Sequence, residues 1–299
     1  MTDIQEQPTL KFYLYAHTSD ITPEDVYNDF LAQPNVKDDG EGNLFYANED
    51  TSVSFRLEDT KAKAKPKGLT YVGRAFSAPL GHAECFGLEI FPIIETVCKH
   101  HNLLLDIADA GKPKAYTAGQ LHKRWLTLND EQQKKDWRED YLKKRAYMPR
   151  KASNDIWRYL LVSTELQESF KKARNKTVVC KTMRYRNFHT GEITTVIPWL
   201  DYHKVPFIIP PHTDYLFRIL IMKKFGVVPY PTPLGYIKTE KLLEGLEGKV
   251  ILRDDGSIQV PKETQPLLRE RAEKLGSDLP PKHVLGDPVL ASQIVDLKD

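Results

Sequence analysis

Cysteine is scarce in this 299-residue chain, with three residues, Cys85, Cys98 and Cys180. They are too few and too scattered for a disulfide framework or a CxxC metal knuckle, so a reduced compartment is expected. Long apolar runs are missing: no stretch approaches the roughly 18 residues that a membrane-crossing helix requires. The opening segment from Met1 to Gln7 has no basic stretch and no apolar core. It does not read as a secretory signal, and a cytoplasmic location is the expectation. Nucleotide-binding signatures are also missing, with no GxxxxGK[ST] and no GxGxxG after a strand. The histidines have neither HExxH nor HxH spacing, and adjacent His100 and His101 are expected to point apart on a helix. No cofactor and no metal are expected.

What the chain does have is material for a core and an uneven distribution of charge. Apolar residues make up 40% and charged residues 28%, values of an ordinary folded protein. The formal net charge of +2 hides a polarity. Residues 1–60 carry 13 acidic and 3 basic side chains, a net of −10. Residues 114–151 carry 11 basic and 5 acidic ones, and 171–186 carry 7 basic side chains and no acid. Such a surface steers charged partners and speeds their encounter, or else its two signs meet within one molecule. A sequence pI near 8.2 and the acidic first third argue against a general nucleic-acid binder.

Periodicity predicts an α+β protein with mainly antiparallel sheet and helices packed on one face, interrupted by a helical middle segment. Residues 10–16 alternate, with Leu10, Phe12 and Leu14 on one face. Thr22 before Pro23-Glu24-Asp25 starts a helix. Short strands follow at Leu44–Tyr46, Ser52–Leu57 and Leu69–Phe76, then a helix over 84–101 carrying Pro92, then a strand at 103–107. This gives βαβββαβ over 1–113. Residues 114–175 read as a helical connector, with Asn129-Asp130 and Ser153-Asn154-Asp155 as helix starts and Trp125, Trp137 and Trp157 as core anchors. A β-rich region spans 176–275. It has strands at 177–183, 193–199 and 215–222, an extended edge segment at 205–211, a hairpin around Asp254-Asp255-Gly256 and a final helix. Residues 276–299 read as a loosely packed tail.

Catalytic sets are thin. Asp201, His203, His212 and Asp214 form the densest polar cluster and could do acid–base work if they converged. His82 and Cys85 could form a nucleophile pair, although a buried cysteine is the simpler reading. Two surfaces suit protein binding. The acidic loops hold Asp38, Asp39, Glu41, Glu49 and Asp50, and fit a basic partner. The basic stretch holds Arg184, Tyr185, Arg186 and His189, and is slightly preferred because arginine and tyrosine dominate binding hot spots.

Three segments also look familiar together: Phe45-Tyr46-Ala47-Asn48-Glu49-Asp50-Thr51-Ser52-Val53-Ser54-Phe55; Phe91-Pro92-Ile93-Ile94-Glu95; and Val179–Met183 with Val196–Trp199 and Ile208–Pro210 before Asp214-Tyr215. The pattern resembles a family of bacterial proteins similar to immunity proteins encoded beside polymorphic toxins, including Rhs-type effectors of type VI secretion. The resemblance spans most of residues 10–245 and carries over no active-site residue. It implies a non-enzymatic protein whose partner is a cognate effector toxin, bound so that its active site or substrate path is blocked. An effector adaptor, or a hydrolase that reverses a toxin modification, remains open beside it.

Overall fold

The computed structural model describes residues 8–62, 64–140, 145–201, 205–222, 230–276 and 285–297. It is an α+β fold that divides into two units, Met1–Asp140 with Ile294–Asp299, and Tyr141–Gln293. The stretch 114–175 is thereby shared, its first helix in one unit and its second in the other.

The first unit is built on a six-stranded antiparallel sheet. In chain order its elements are β1 (Thr9–Ala16), α1 (Pro23–Leu31), β2 (Val36–Asp38), β3 (Leu44–Ala47), β4 (Ser54–Asp59), β5 (Thr70–Pro79), α2 (Cys85–His100), β6 (Leu104–Ile107) and α3 (Ala118–Asp140). The spatial order is β2-β3-β4-β5-β1-β6. β1 lies inside the sheet because its alternating Leu10, Phe12 and Leu14 are all buried. α1 begins with a capping box. The Thr22 hydroxyl accepts from Asp25 N, the Asp25 carboxylate accepts from Thr22 N at 2.8 Å, and Pro23 opens the first turn. Val26 and Phe30 of α1 and Ile90, Phe91, Ile94 and Val97 of α2 share one core with Phe12, Phe55 and Phe76. Pro92 sits inside α2, which starts seven residues earlier at Cys85.

α3 corrects the expected break at Asn129. The helix runs unbroken from Ala118 to Asp140, and Asn129 is a buried residue in its middle. Its amide accepts from Gly81 N at 2.9 Å and His82 N at 3.1 Å, and donates to His82 O at 2.8 Å. Trp125 is fully buried, as a core anchor should be, whereas the side chain of Trp137 lies outside the described residues. Within the expected loose tail, residues 277–284, 298 and 299 lie outside the described residues, and Asp296 is packed down: it is buried and accepts from Glu84 N at the start of α2 and from Gln133 of α3.

The second unit contains β7 (Ala146–Tyr147), α4 (Arg150–Lys172), β8 (Val178–Val179), β9 (Met183–Asn187), β10 (Ile193–Leu200), β11 (Phe207–Ile209), β12 (Tyr215–Met222), β13 (Tyr230–Lys238), α5 (Thr239–Leu243), β14 (Ile251–Leu252), β15 (Ile258–Val260), α6 (Gln265–Leu275) and β16 (Leu285–Pro288). A five-stranded sheet has the order β13-β12-β10-β9-β16, and a four-stranded one β14-β15-β11-β8. Both are mixed, since β10 and β12 pair in parallel, as do β11 and β8. α4 starts at Arg150, three residues before the expected start, and Ser153 and Asn154 are buried within it.

Two strand expectations change, and one strand forms where none is expected. The single strand at 177–183 is two strands in different sheets. β11 is interior, hydrogen-bonded to β15 and β8, because its prolines flank the three paired residues. β13 was not read from the sequence because Pro231 and Pro233 mask it. It lies at the sheet edge, where a missing N–H costs no ladder bond.

Candidate functional site

The acidic loops fall at opposite ends of β3. A meander reverses direction at each turn, so Asp38, Asp39 and Glu41 lie at one end of the hairpin, and Glu49 and Asp50 at the other. The five residues do not form one patch.

The turn 39–43 is held in a defined shape. Asp38 Oδ1 accepts from Gly40 N at 2.7 Å, and Asp38 Oδ2 accepts from the Tyr27 hydroxyl at 2.6 Å. Asp39 Oδ1 accepts from Glu41 N at 2.8 Å and Asn43 N at 3.1 Å, and its Oδ2 from Asn43 Nδ2 at 3.1 Å. Gly40 and Gly42 have φ of +80° and +89°, conformations that a side chain resists, while space around both is open. Asn43 Oδ1 accepts from Asp59 N, and Arg74 donates to Gly42 O. The hydrogen bond from Tyr27, then that from Gly40 N, hold the Asp38 carboxyl below its ordinary pKa. The bonds from Glu41 N and Asn43 do the same for Asp39. Both carboxylates are therefore charged, exposed and fixed in position.

The other turn is fixed from below. Glu89, on α2, is buried, and its Oε1 accepts from Tyr46 Oη at 2.6 Å, Asn48 Nδ2 at 2.9 Å and Thr51 Oγ1 at 3.1 Å. Three polar residues of the stretch 45–55 thus serve one carboxylate. That buried carboxylate went unnoticed in the sequence, where its one signal is a lone acid inside the apolar run Phe86–Ile94. Glu49 is left 91% exposed, 3.7 Å from Lys37.

The basic stretch is less open than its composition implies. Arg184, Tyr185 and Arg186 are consecutive in β9, which pairs with β10 on one side and β16 on the other. Strand alternation puts the two arginines on one face and Tyr185 on the opposite one. All three are half-buried, and Arg184 and Arg186 have partners of their own. His189 is exposed in the following hairpin turn, where Asn187 Oδ1 accepts from its N–H. These four residues do not present one surface.

The polar cluster around 201–214 does not converge either. Asp201 is buried and accepts from Arg218 Nε at 2.7 Å and Arg269 Nε at 2.8 Å, so its charge is held by two guanidinium groups. They line a cleft of about 570 Å³ with Leu220, Leu234 and Glu273. Asp214 accepts from Thr195 N at 2.7 Å and ties β12 to β10. His212 turns away to Asp155 of α4, with Nε2 2.9 Å from Oδ2. His203 lies outside the described residues. Asp201, His212 and Asp214 thus do not come together: each is tied to a different partner, as braces are. His82 is equally committed: it is buried and its ring stacks on Phe86 at 4.2 Å.

One cluster has donors of the kind that hold a metal. Asp29, in the last turns of α1, faces His100 and His101 at the end of α2. His100 Nδ1 lies 2.9 Å from Asp29 Oδ1, and His101 Nε2 lies 3.4 Å from Asp29 Oδ2. The expectation that the two rings point apart fails because the helix ends between them. His101 has φ −103° and ψ 9°, outside helical values, and the ring centroids are 4.7 Å apart.

No protein-family model, curated protein or solved structure matches this chain. No helix among the described residues is long and apolar enough to cross a membrane.

Proposed function

We propose that this chain is an immunity-type binder that captures a basic effector toxin domain through the acidic end of its first unit and occludes that domain's working surface. The observation that carries the reading is the segment 38–43: two carboxylates, at Asp38 and Asp39, exposed and fixed by neutral donors. Neutral donors immobilise a carboxylate without cancelling its charge. A preformed negative edge attracts a cationic partner at long range and loses little freedom on docking. The toxin context rests on the resemblance of the segments 45–55, 91–95 and 179–215. The brace-like placement of Asp201, His212 and Asp214 supports binding over catalysis.

The test is direct binding of the purified chain to the product of the adjacent gene, cut down to its toxic domain. Submicromolar binding that weakens steeply with salt is expected, together with growth rescue on co-expression. Asp38→Asn with Asp39→Asn and Glu41→Gln should slow association by about tenfold or more at low salt. Undiminished binding by that variant would move the interface elsewhere. Failure to bind or rescue at all would overturn the immunity reading. Binding only to effector segments outside the toxic domain would replace it with an adaptor.

A further inference from the structure

We infer that Asp29, His100 and His101 form a binding site for a zinc-class divalent cation. The donor set is two imidazoles and one carboxylate, the borderline nitrogen and oxygen ligands that zinc takes in three-ligand sites with a position left for solvent. Each imidazole nitrogen already lies close to one oxygen of the Asp29 carboxylate. Bonds of about 2.0–2.1 Å to a tetrahedral ion place neighbouring ligands about 3.3 Å apart. The two donor separations here are 2.9 Å and 3.4 Å, and a ligand atom from each of the three residues lies within 4.8 Å of the others.

The second observation concerns what these atoms lack. Asp29 Oδ2 and His101 Nε2 are both shut from solvent, and neither has a hydrogen-bond partner among the described residues. They face each other at 3.4 Å, too far and too poorly aligned for the short bond that a carboxylate and an imidazole N–H normally make. A cation between them satisfies both lone pairs at once. It also explains why two adjacent histidines turn to the same carboxylate.

The surroundings favour positive charge. His100 is the last residue of α2, and Asp29 lies two residues before the end of α1, so both helices bring their negative ends to the site. Asp25, one turn earlier on α1, is within electrostatic reach of His101. The His100 ring is 67% exposed, which gives the ion a path in and leaves room for a water ligand. The role that follows from placement is to tie the end of α1 to the end of α2. No reaction is required of it.

The experiment uses the full, untagged chain stripped with a chelator and titrated with Zn²⁺ alone against a chromophoric competitor, then with Co²⁺ as a spectroscopic probe. A single ion per chain, bound at micromolar or tighter affinity, with the intense visible bands of tetrahedral Co²⁺, is expected. His100→Gln removes an exposed ligand and should leave the far-ultraviolet circular dichroism unchanged while weakening Zn²⁺ by more than about tenfold. His101→Gln should do the same, whereas His189→Gln should bind like the parent chain. Zn²⁺ affinity that is unchanged in the two ligand variants, or a weak octahedral Co²⁺ spectrum, would overturn the assignment. Because the readout is metal binding, it stands or falls independently of toxin capture.

Discussion

Replacing Gly87 by alanine pits two opposite effects against each other, and the structure decides which wins. Gly87 lies within α2, where alanine is the better helix former by about 0.8–1.0 kcal/mol. Propensity alone predicts stabilisation. Yet a Cβ built there falls 2.7 Å from His122 Cδ2 and 2.7 Å from both Cε3 and Cζ3 of Trp125. Real Cβ atoms do not approach carbon that closely, so a ring must move. Trp125 is fully buried and its Nε1 donates to Pro79 O at 2.9 Å. His122 stacks on the same indole. Overpacking of this kind costs about 1–3 kcal/mol. Loosening the indole hydrogen bond adds about 0.5–1.5 kcal/mol. The balance is a net loss of roughly 1–3 kcal/mol, or a fall in Tm of about 3–10 °C. Urea unfolding followed by tryptophan fluorescence measures it. Gly119→Ala is the control, because nothing lies within 4 Å of a Cβ at that position in α3. It should be neutral or slightly stabilising. If Gly87→Ala matched Gly119→Ala, α2 and α3 could not approach as closely as Gly87 and Trp125 do.

Two further outcomes follow from buried and paired groups. Cys98 and Cys180 are buried, and burial pushes both thiols up to about 12, whereas Cys85 is partly exposed. A thiol-reactive disulfide reagent should therefore label one cysteine quickly in the native protein and the other two only on unfolding. Two fast thiols would contradict the packing of α2 or of the strand pair β8 and β11. Burial raises the Asp155 carboxyl, but hydrogen bonds from His212 and Lys151 outweigh it and leave its pKa below the ordinary value. A depressed carboxylate contributes stability above its unfolded pKa of about 3.9 and loses that contribution as pH falls through the folded value. Asp155→Asn should thus be less stable than the parent at pH 6, with the gap closing below about pH 4. A gap that stays constant to pH 2.5 would show that the His212 contact carries no such linkage.

The sequence was most legible where a local rule and the tertiary fold agreed. The alternation of Leu10, Phe12 and Leu14 and the Thr22 cap each report a nearest-neighbour preference, and each is present. It misled where a residue type has two uses. Asn129 looks like a helix cap because asparagine usually competes with helix hydrogen bonds. Here it is spent on the backbone of Gly81 and His82, a partner some 48 residues away that no local pattern announces. Pro231 and Pro233 hid an edge strand for a similar reason. Proline is disfavoured inside a sheet, because it offers no N–H to a ladder, but nothing local says whether a strand lies at an edge. Candidate site residues were the least legible. Arg184, Tyr185 and Arg186 are adjacent in sequence, and strand geometry sends them to opposite faces. Asp29 and His101 are 72 positions apart in the chain, and the ends of two packed helices bring them together.

The excess of acid in residues 1–60 can now be divided by use. Asp25 is consumed as a cap, Asp29 faces two imidazoles, Glu58 lies 2.7 Å from Lys11, and Glu49 has Lys37 nearby. Those carboxylates answer a demand of the fold or meet a positive group. Asp38 and Asp39 differ, because their hydrogen bonds come from a phenol, an amide and backbone N–H groups. Arg56 and the largely buried Arg74 temper the local field without pairing with either carboxylate. A turn that served only to reverse the chain would need one such carboxylate and the glycines. Two consecutive aspartates, each fixed while keeping its charge, go beyond what chain reversal requires. Asp59 and Glu41 flank the same end of the sheet and add to the same sign. Asp38, Asp39, Glu41 and Asp59 thus gather at one end of the sheet, the edge that the proposed capture would use, and the sharpest discriminator is salt. An edge whose purpose is capture loses association rate as ionic strength rises, whereas a solvated face leaves binding indifferent to it.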